Sequence, residues 1–545
     1  MAAQLQMVQV DDLGGGINDF NRPDKINPNE MISTSYNVRG DAEFCTLRNG
    51  YATRFDTLTG STAGVKLLTP YLRNAASDDR LIAIYDTNIY RALPGTDTTW
   101  TEITTALLTS QVNVTACGYY DWLFLFNGVD KPLRIEGTTV SQPFTKPDSI
   151  SAAADFCPAF GDVYNGSLVV SGVPTRPNVV YVSKSSTSAS EALVYDFSGT
   201  LSGDVVDANE FLLDSRVTSI RKLSSALVIF TVDGAIYVPG VKEFSTAVLF
   251  ERQPIGGAQG AVSHNSTCVV ENDIFYLTPN KEIRSIRRGF ADNLSMLTIP
   301  LSINIQRYLT DVIDDDLSSA FAYYNNKEHK YYLYLRKKGL TMNTVRIIGD
   351  LDRVDDNGVP AWFIDEDVPF QAGCVYKGTN YTGSTVLGQV YEDGVGLADD
   401  DTAAIGSLRV SKDFTANNPT SLKMFKVVNV FGDITQSTEK YIDVYVDDRL
   451  VKTVTVNSGD IVNGGTTGGI GTEAVGNFSI GNEAEDETPF ITDFYEYTKR
   501  IMIRARGKKL RIDVRTDGIN NSYRLRMLEY GFLPISRLQA PVNEK

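Results

Sequence analysis

The 545-residue sequence holds only two histidines, His264 and His329. Both sit in polar turns, Ser263-His264-Asn265-Ser266 and Glu328-His329-Lys330. Neither belongs to a GxSxG elbow or an HExxH helix, so no frame exists for a Ser-His-Asp triad or a histidine-ligated metal. Cysteine is also sparse: five residues, at 45, 117, 157, 268 and 374, with no CxxC. An odd number so widely spaced excludes a zinc ribbon and a disulfide framework. It predicts reduced, packed thiols, as in a chain made in a cytoplasm. Residues 1–10 lack the basic start and apolar run of a secretory signal. No stretch reaches the roughly 18 apolar residues a membrane span needs, so none is expected. Tryptophan is limited to Trp100, Trp122 and Trp362, few for a glycan-stacking surface. Helical periodicity is weak. Ile305, Leu309 and Ile313 alone recur at four-residue spacing, which predicts a short helix between sheets.

Aromatic residues and glycine are abundant, with 27 Tyr, 25 Phe and 44 Gly. Aromatic and β-branched residues suit pleated surfaces, and glycine suits the tight turns between strands. A strand–turn–strand unit recurs. Leu81 to Tyr85 is followed by Asp86-Thr87-Asn88 and Ile89-Tyr90; Trp122 to Phe126 by Asn127-Gly128 and Leu133-Arg134-Ile135. Ser224 to Val232 is followed by Asp233-Gly234 and Ala235-Ile236-Tyr237; Ile274 to Leu277 by Pro279-Asn280 and Ile283 to Ile286. Repetition at this scale predicts sheets set around an axis. Units fall near 64–93, 112–140, 159–200, 214–255, 260–300 and 318–395. The fold class is therefore all-β, with a β-propeller of about six blades over 56–400. Residues 1–55 read as an amino-terminal arm or strand crossing, and Gly14-Gly15-Gly16 matches no phosphate loop. Alternating runs over 405–535 predict an added antiparallel, β-sandwich-like domain. Residues 536–545 form a carboxyl-terminal tail.

The net charge is −16, and it is unevenly spread. Residues 499–526 carry ten Lys or Arg against two Asp, while 311–401 carry seventeen acids against eight bases. An acidic middle and a basic end can complement each other in an assembly. Arg500, Arg504 and Arg506 share one parity of a strand, with Ile501 and Ile503 on the other. They are candidate interface residues, together with Arg511, because guanidinium pairs bidentately with carboxylates. The acid triplets Asp314-Asp315-Asp316 and Asp399-Asp400-Asp401 stand in no frame for paired-carboxylate catalysis. The Ser-x-Asp-x-Gly-x-x-Trp turn of sialidase blades does not recur. Thr96 to Trp100 matches it once and without the glycine. No enzymatic activity and no cofactor are expected.

The order of features resembles the tail hub, nozzle or stabilisation proteins of short-tailed bacteriophages. The likeness lies in Gly15-Gly16-Ile17-Asn18, Arg22-Pro23, Asn37-Val38 and Leu47-Arg48-Asn49-Gly50-Tyr51 near the start. It continues at Leu227 to Pro239, with Ile255-Gly256 and Gly260, and at the basic strands from Arg500 to Val514. The resemblance implies a β-propeller with added β domains, assembled as a homohexameric ring in the virion tail, around the DNA exit channel. It implies contacts with portal-adaptor proteins and with tail fibres or spikes, passage of genomic DNA, and no catalytic residue. In that setting Asp314, Asp315, Asp316, Asp399, Asp400 and Asp401 are candidate channel-lining acids, because a wall that does not hold phosphate lets the duplex slide. Two other readings remain: a receptor- or glycan-binding propeller, and a propeller glycosidase.

Overall fold

The computed structural model describes residues 4–535, apart from 42–43, 59–63, 74, 76–77, 105–107, 110–113, 165, 187–193, 200–204, 207–208, 225, 239–240, 245–246, 251–252, 256–258, 288–298, 401, 436–437, 462–493 and 520. The carboxyl-terminal tail read at 536–545 lies outside the described residues. The chain is mostly antiparallel β-strand and forms two compact units, 53–361 with 365–393, and 1–52 with 362–364 and 394–545.

Among the described residues, and besides two two-stranded ribbons, Ser185–Ser186 with Val205–Val206 and Val241–Phe244 with Ala247–Phe250, the larger unit has seven antiparallel sheets of three or four strands in chain order. Their first strands are Val65–Tyr71, Thr115–Tyr119, Phe160–Tyr164, Val217–Leu223, Thr267–Val270, Phe321–Asn325 and Phe370–Tyr376. Each first strand packs beside the next, and Phe370–Tyr376 packs back on Val65–Tyr71. The ring closes as a β-propeller. Its count exceeds the expected "about six" by one because 318–395 holds two sheets. Tyrosine and phenylalanine run through both, so composition does not mark the boundary between Pro360–Glu366 and Phe370–Tyr376.

Local chemistry sets the hairpins. Asp86 turns the chain between Arg80–Tyr85 and Asn88–Ala92 at φ 57°. Asn127 Oδ1 accepts from the Val129 and Asp130 amides at 3.0 and 2.8 Å, and Gly128 takes φ 75°. Both devices free the flanking strands to pair. The Asp233-Gly234 turn closes through the Thr231 amide, which donates to the Gly234 carbonyl at 2.8 Å. The chain also closes the ring. The Leu58 amide donates to the Gly388 carbonyl at 2.7 Å, which joins the start of the unit to its seventh sheet.

Apolar side chains alternate along these strands and meet between successive blades. One cluster joins Leu81 and Tyr85 to Cys374 and Tyr381; another joins Phe124 and Phe126 to Leu168 and Tyr181. The expected helix is Gln306–Val312, and Ile305, Leu309 and Ile313 are all fully buried.

The smaller unit holds two antiparallel sheets. The six-stranded one runs Val38–Gly40, Cys45–Leu47, Tyr523–Pro534, Lys423–Ile434, Tyr495–Gly507, with Gln6–Val10 also pairing on Tyr523–Pro534. The four-stranded one runs Ser407–Val410, Leu510–Thr516, Lys440–Val446, Arg449–Val456. Gly507 ends the strand that crosses between sheets; a Cβ there would lie 2.3 Å from Val446 Cγ1. The amino-terminal arm is part of this unit. Leu13, Ile17 and Met31 are buried in it, Met31 bridges Ser411, and Tyr36 bridges Leu408.

Candidate functional site

Among the described residues Tyr495–Gly507 is an edge strand with one uncovered face. Tyr497, Ile501 and Ile503 are buried, while Arg500, Met502, Arg504 and Arg506 are exposed. The alternation read from the sequence is therefore realised. Among the described residues no carboxylate is paired with Arg500, Arg504 or Arg506. Neighbouring strands extend the face. Met424 stands opposite Arg506, and Asn429 opposite Arg500. Met527 pairs with Phe431, and Met7 lies over Gly531, where a Cβ would meet its Sδ at 2.6 Å. Half of the chain's eight methionines are thus gathered on one sheet face, with Met7 and Met502 42% and 51% exposed. Methionine and arginine are adaptable contact residues, enriched where proteins meet.

Arg511 is not on that face. The connection at 507–510 carries the chain into the four-stranded sheet, where Arg511 stacks over Tyr445 at 4.3 Å and bonds Asp513 at 3.1 and 3.2 Å. Arg515 repeats the arrangement four residues along, over Tyr441 at 4.4 Å with Asp443 at 2.9 Å.

The acids differ from the reading of a bare acidic wall. Asp314 and Asp316 both pair with Arg336, at 3.2 and 2.8 Å, and Asp315 pairs with Lys281 at 2.6 Å. Hydrogen bonds from Ser318, then Arg336, hold Asp316 down to about 2. Asp399 is a correction. It is buried, and its carboxylate accepts from Arg48 Nη1 at 2.8 Å and from Nη2 at 2.6 Å, so it is no open acidic surface. Asp400 is half-buried with its amide on the Tyr51 carbonyl at 2.8 Å. Asp401 lies outside the described residues. Part of the negative charge counted along the sequence is paired with cations brought in from elsewhere in the chain, such as Lys281 and Arg48, which linear counting cannot see.

The structure brings one catalytic-looking pair together that the sequence did not suggest. Ser219 Oγ lies 3.2 Å from His264 Nδ1. Ser219 is fully buried, His264 stacks on Phe160 at 5.3 Å, and burial pushes the imidazole well below its usual range. The pair is core polar packing that no substrate reaches. Trp362 and Trp122 are buried, so neither presents a stacking platform. Among the described residues no cluster of His, Cys, Asp or Glu is placed to hold a metal ion. No described helix is long and apolar enough to cross a membrane.

No known family matches the chain, and no curated protein does. Solved structures similar to it include YCF48 bound to D1 peptide, at 11% identity and TM-score 0.38 over 67% of this chain and 99% of that one. BBS1N in complex with ARL6DN matches at 10% and 0.35 over 64% and 98%. PorZ, an essential surface component of the type-IX secretion system of Porphyromonas gingivalis, matches at 10% and 0.35 over 74% and 46%. Likeness at these levels says nothing about what this chain does.

Proposed function

We propose that this chain is a ring-forming structural protein of a short phage tail, a hub or nozzle component that docks through its carboxyl-terminal β unit. One observation carries the reading: the bare face of the six-stranded sheet, where Arg500, Arg504 and Arg506 surround exposed Met502. Charged residues on an edge strand also prevent unwanted strand pairing, and lysine would serve that purpose as well. Arginine with no carboxylate partner among the described residues, beside exposed methionine, fits a contact surface better. The partner is acidic at that surface, either a second copy of this net-acidic chain or an adaptor subunit. The remaining members of the reading are a homohexameric ring, tail fibres or spikes, and DNA passing through. They rest on the resemblance in feature order. Co-sedimentation of the purified chain with portal-adaptor rings tests it. The proposal expects a stoichiometric complex that weakens with salt. A chain that stays monomeric and ignores the ring contradicts it.

A further inference from the structure

A cavity of about 390 Å³ opens in the smaller unit, where Cys45–Leu47 meets Tyr523–Pro534. Arg524 stands in its wall, close to two phenyl rings. Its Cζ is 5.0 Å from the centre of the Phe44 ring and 4.0 Å from that of Phe494. Cation–π contact with two rings restrains the guanidinium and leaves its N–H donors as the groups still to be satisfied. Among the described residues no hydrogen bond or ion pair engages that guanidinium. Such an arrangement is a preset fork for a planar, two-oxygen acceptor.

The other wall groups narrow the ligand. Thr46, Asn49 and Ser522 also line the cavity. Asn49 Nδ2 is used on the Gly394 carbonyl at 3.1 Å, which leaves its Oδ1 as an acceptor. These neutral groups suit a ligand that carries hydroxyls. Asp41 lines the cavity too, and its carboxylate opposes a doubly charged anion beside it. The volume is at the small end of the range for ligand sites, roughly 300–1,000 Å³, which accommodates about one sugar ring.

We propose that this cavity binds a hydroxylated monocarboxylate, a sugar acid of the uronate class, with the carboxylate seated in the plane of Arg524. The sugar acid comes either free or as one unit of an acidic polysaccharide. The inference is independent of ring assembly.

Isothermal titration of the full chain with glucuronate tests it, with glucose and inorganic phosphate as controls and a glucuronate-containing oligosaccharide as a second arm. Glucuronate binds saturably, and glucose and phosphate do not. Arg524→Gln removes the charged fork and weakens binding roughly 10- to 100-fold. Asn49→Asp is at an exposed position and leaves the stacked arginine in place. It adds a negative charge to the wall and also weakens binding, so the test stands even if the Arg524 variant folds poorly. Equal affinity for the free sugar and the oligosaccharide assigns the site to the free acid; tighter oligosaccharide binding assigns it to the polymer. No heat with either sugar acid overturns the proposal, as do unchanged binding in both variants and equal binding of glucose or phosphate.

Discussion

Arg48 and Asp399 are 351 positions apart and form a two-pronged ion pair inside the smaller unit, Nη1 to Oδ1 at 2.8 Å and Nη2 to Oδ2 at 2.6 Å. Arg48 is 1% exposed and also donates from Nε to Asn37 Oδ1 at 3.0 Å. The pair ties the amino-terminal arm to the chain that leaves the propeller, within one unit.

Arg48→Met leaves a buried carboxylate without its partner. Unfolding of the smaller unit should lose roughly 3–5 kcal/mol, read as a shifted denaturant midpoint for that transition. Replacing Asp399 by Leu in the same chain should restore much of the loss. A single variant as stable as wild type would mean that the arm contributes little to the unit.

Arg346 plays the matching part in the propeller. Its Nε bonds Asp365 Oδ2 at 2.7 Å and its Nη1 bonds Asp393, so it joins the sixth and seventh sheets. Arg346→Met strands two buried carboxylates and should cost more than Arg48→Met. Thermal unfolding followed by calorimetry should show the propeller transition lowered, with the other transition in place. Equal shifts of both would contradict this separation.

How much of this was open to reading from the sequence depends on distance along the chain. Hairpins such as Trp122–Phe126 with Leu133–Glu136 were legible because the alternation and the Asn127-Gly128 turn are local. So was the parity of Arg500, Arg504 and Arg506, which one strand fixes by itself. The division of 318–395 into two sheets was not legible, since aromatic strands continue across it. Nor were the partners of the acids, because Asp399 finds Arg48, and Asp315 finds Lys281, only after folding. The Arg524 cavity escaped notice for the same reason: Phe44 and Phe494 meet one guanidinium from opposite ends of the chain.

Lys440 gives a pH prediction. It is fully buried, its Nζ donates to Tyr497 Oη, and it lies 4.1 and 4.7 Å from the Tyr497 and Tyr523 ring centres. Burial lowers its pKa to about 7, against Asp433, which acts to raise it. Between that value and the usual lysine range the unfolded chain binds the proton and the folded chain does not. Stability therefore rises with pH from about 7 towards about 10, and flattens below 7. Lys440→Met should remove that rise, seen in melts at stepped pH. The same slope in the variant would show that other groups cause it.

Arg504→Ser with Arg506→Ser removes two guanidinia from the bare sheet face without touching Ile501 or Ile503. The isolated chain should keep its melting temperature to within a degree or two, since exposed substitutions change stability little, roughly ±0.5 kcal/mol. Its association with copies or partners should fall, and more so at low salt, where charge steering matters most. Association unchanged at every salt concentration would leave these arginines as solubilising residues.

The central claim is ring assembly through that face, and electron microscopy of the purified chain, alone and on adaptor rings, tests it most directly. The account expects closed rings of sixfold symmetry with the Arg500–Arg506 face buried against a neighbour. Monomers under both conditions, or rings whose Arg500, Arg504 and Arg506 side chains project into open solvent, would contradict it.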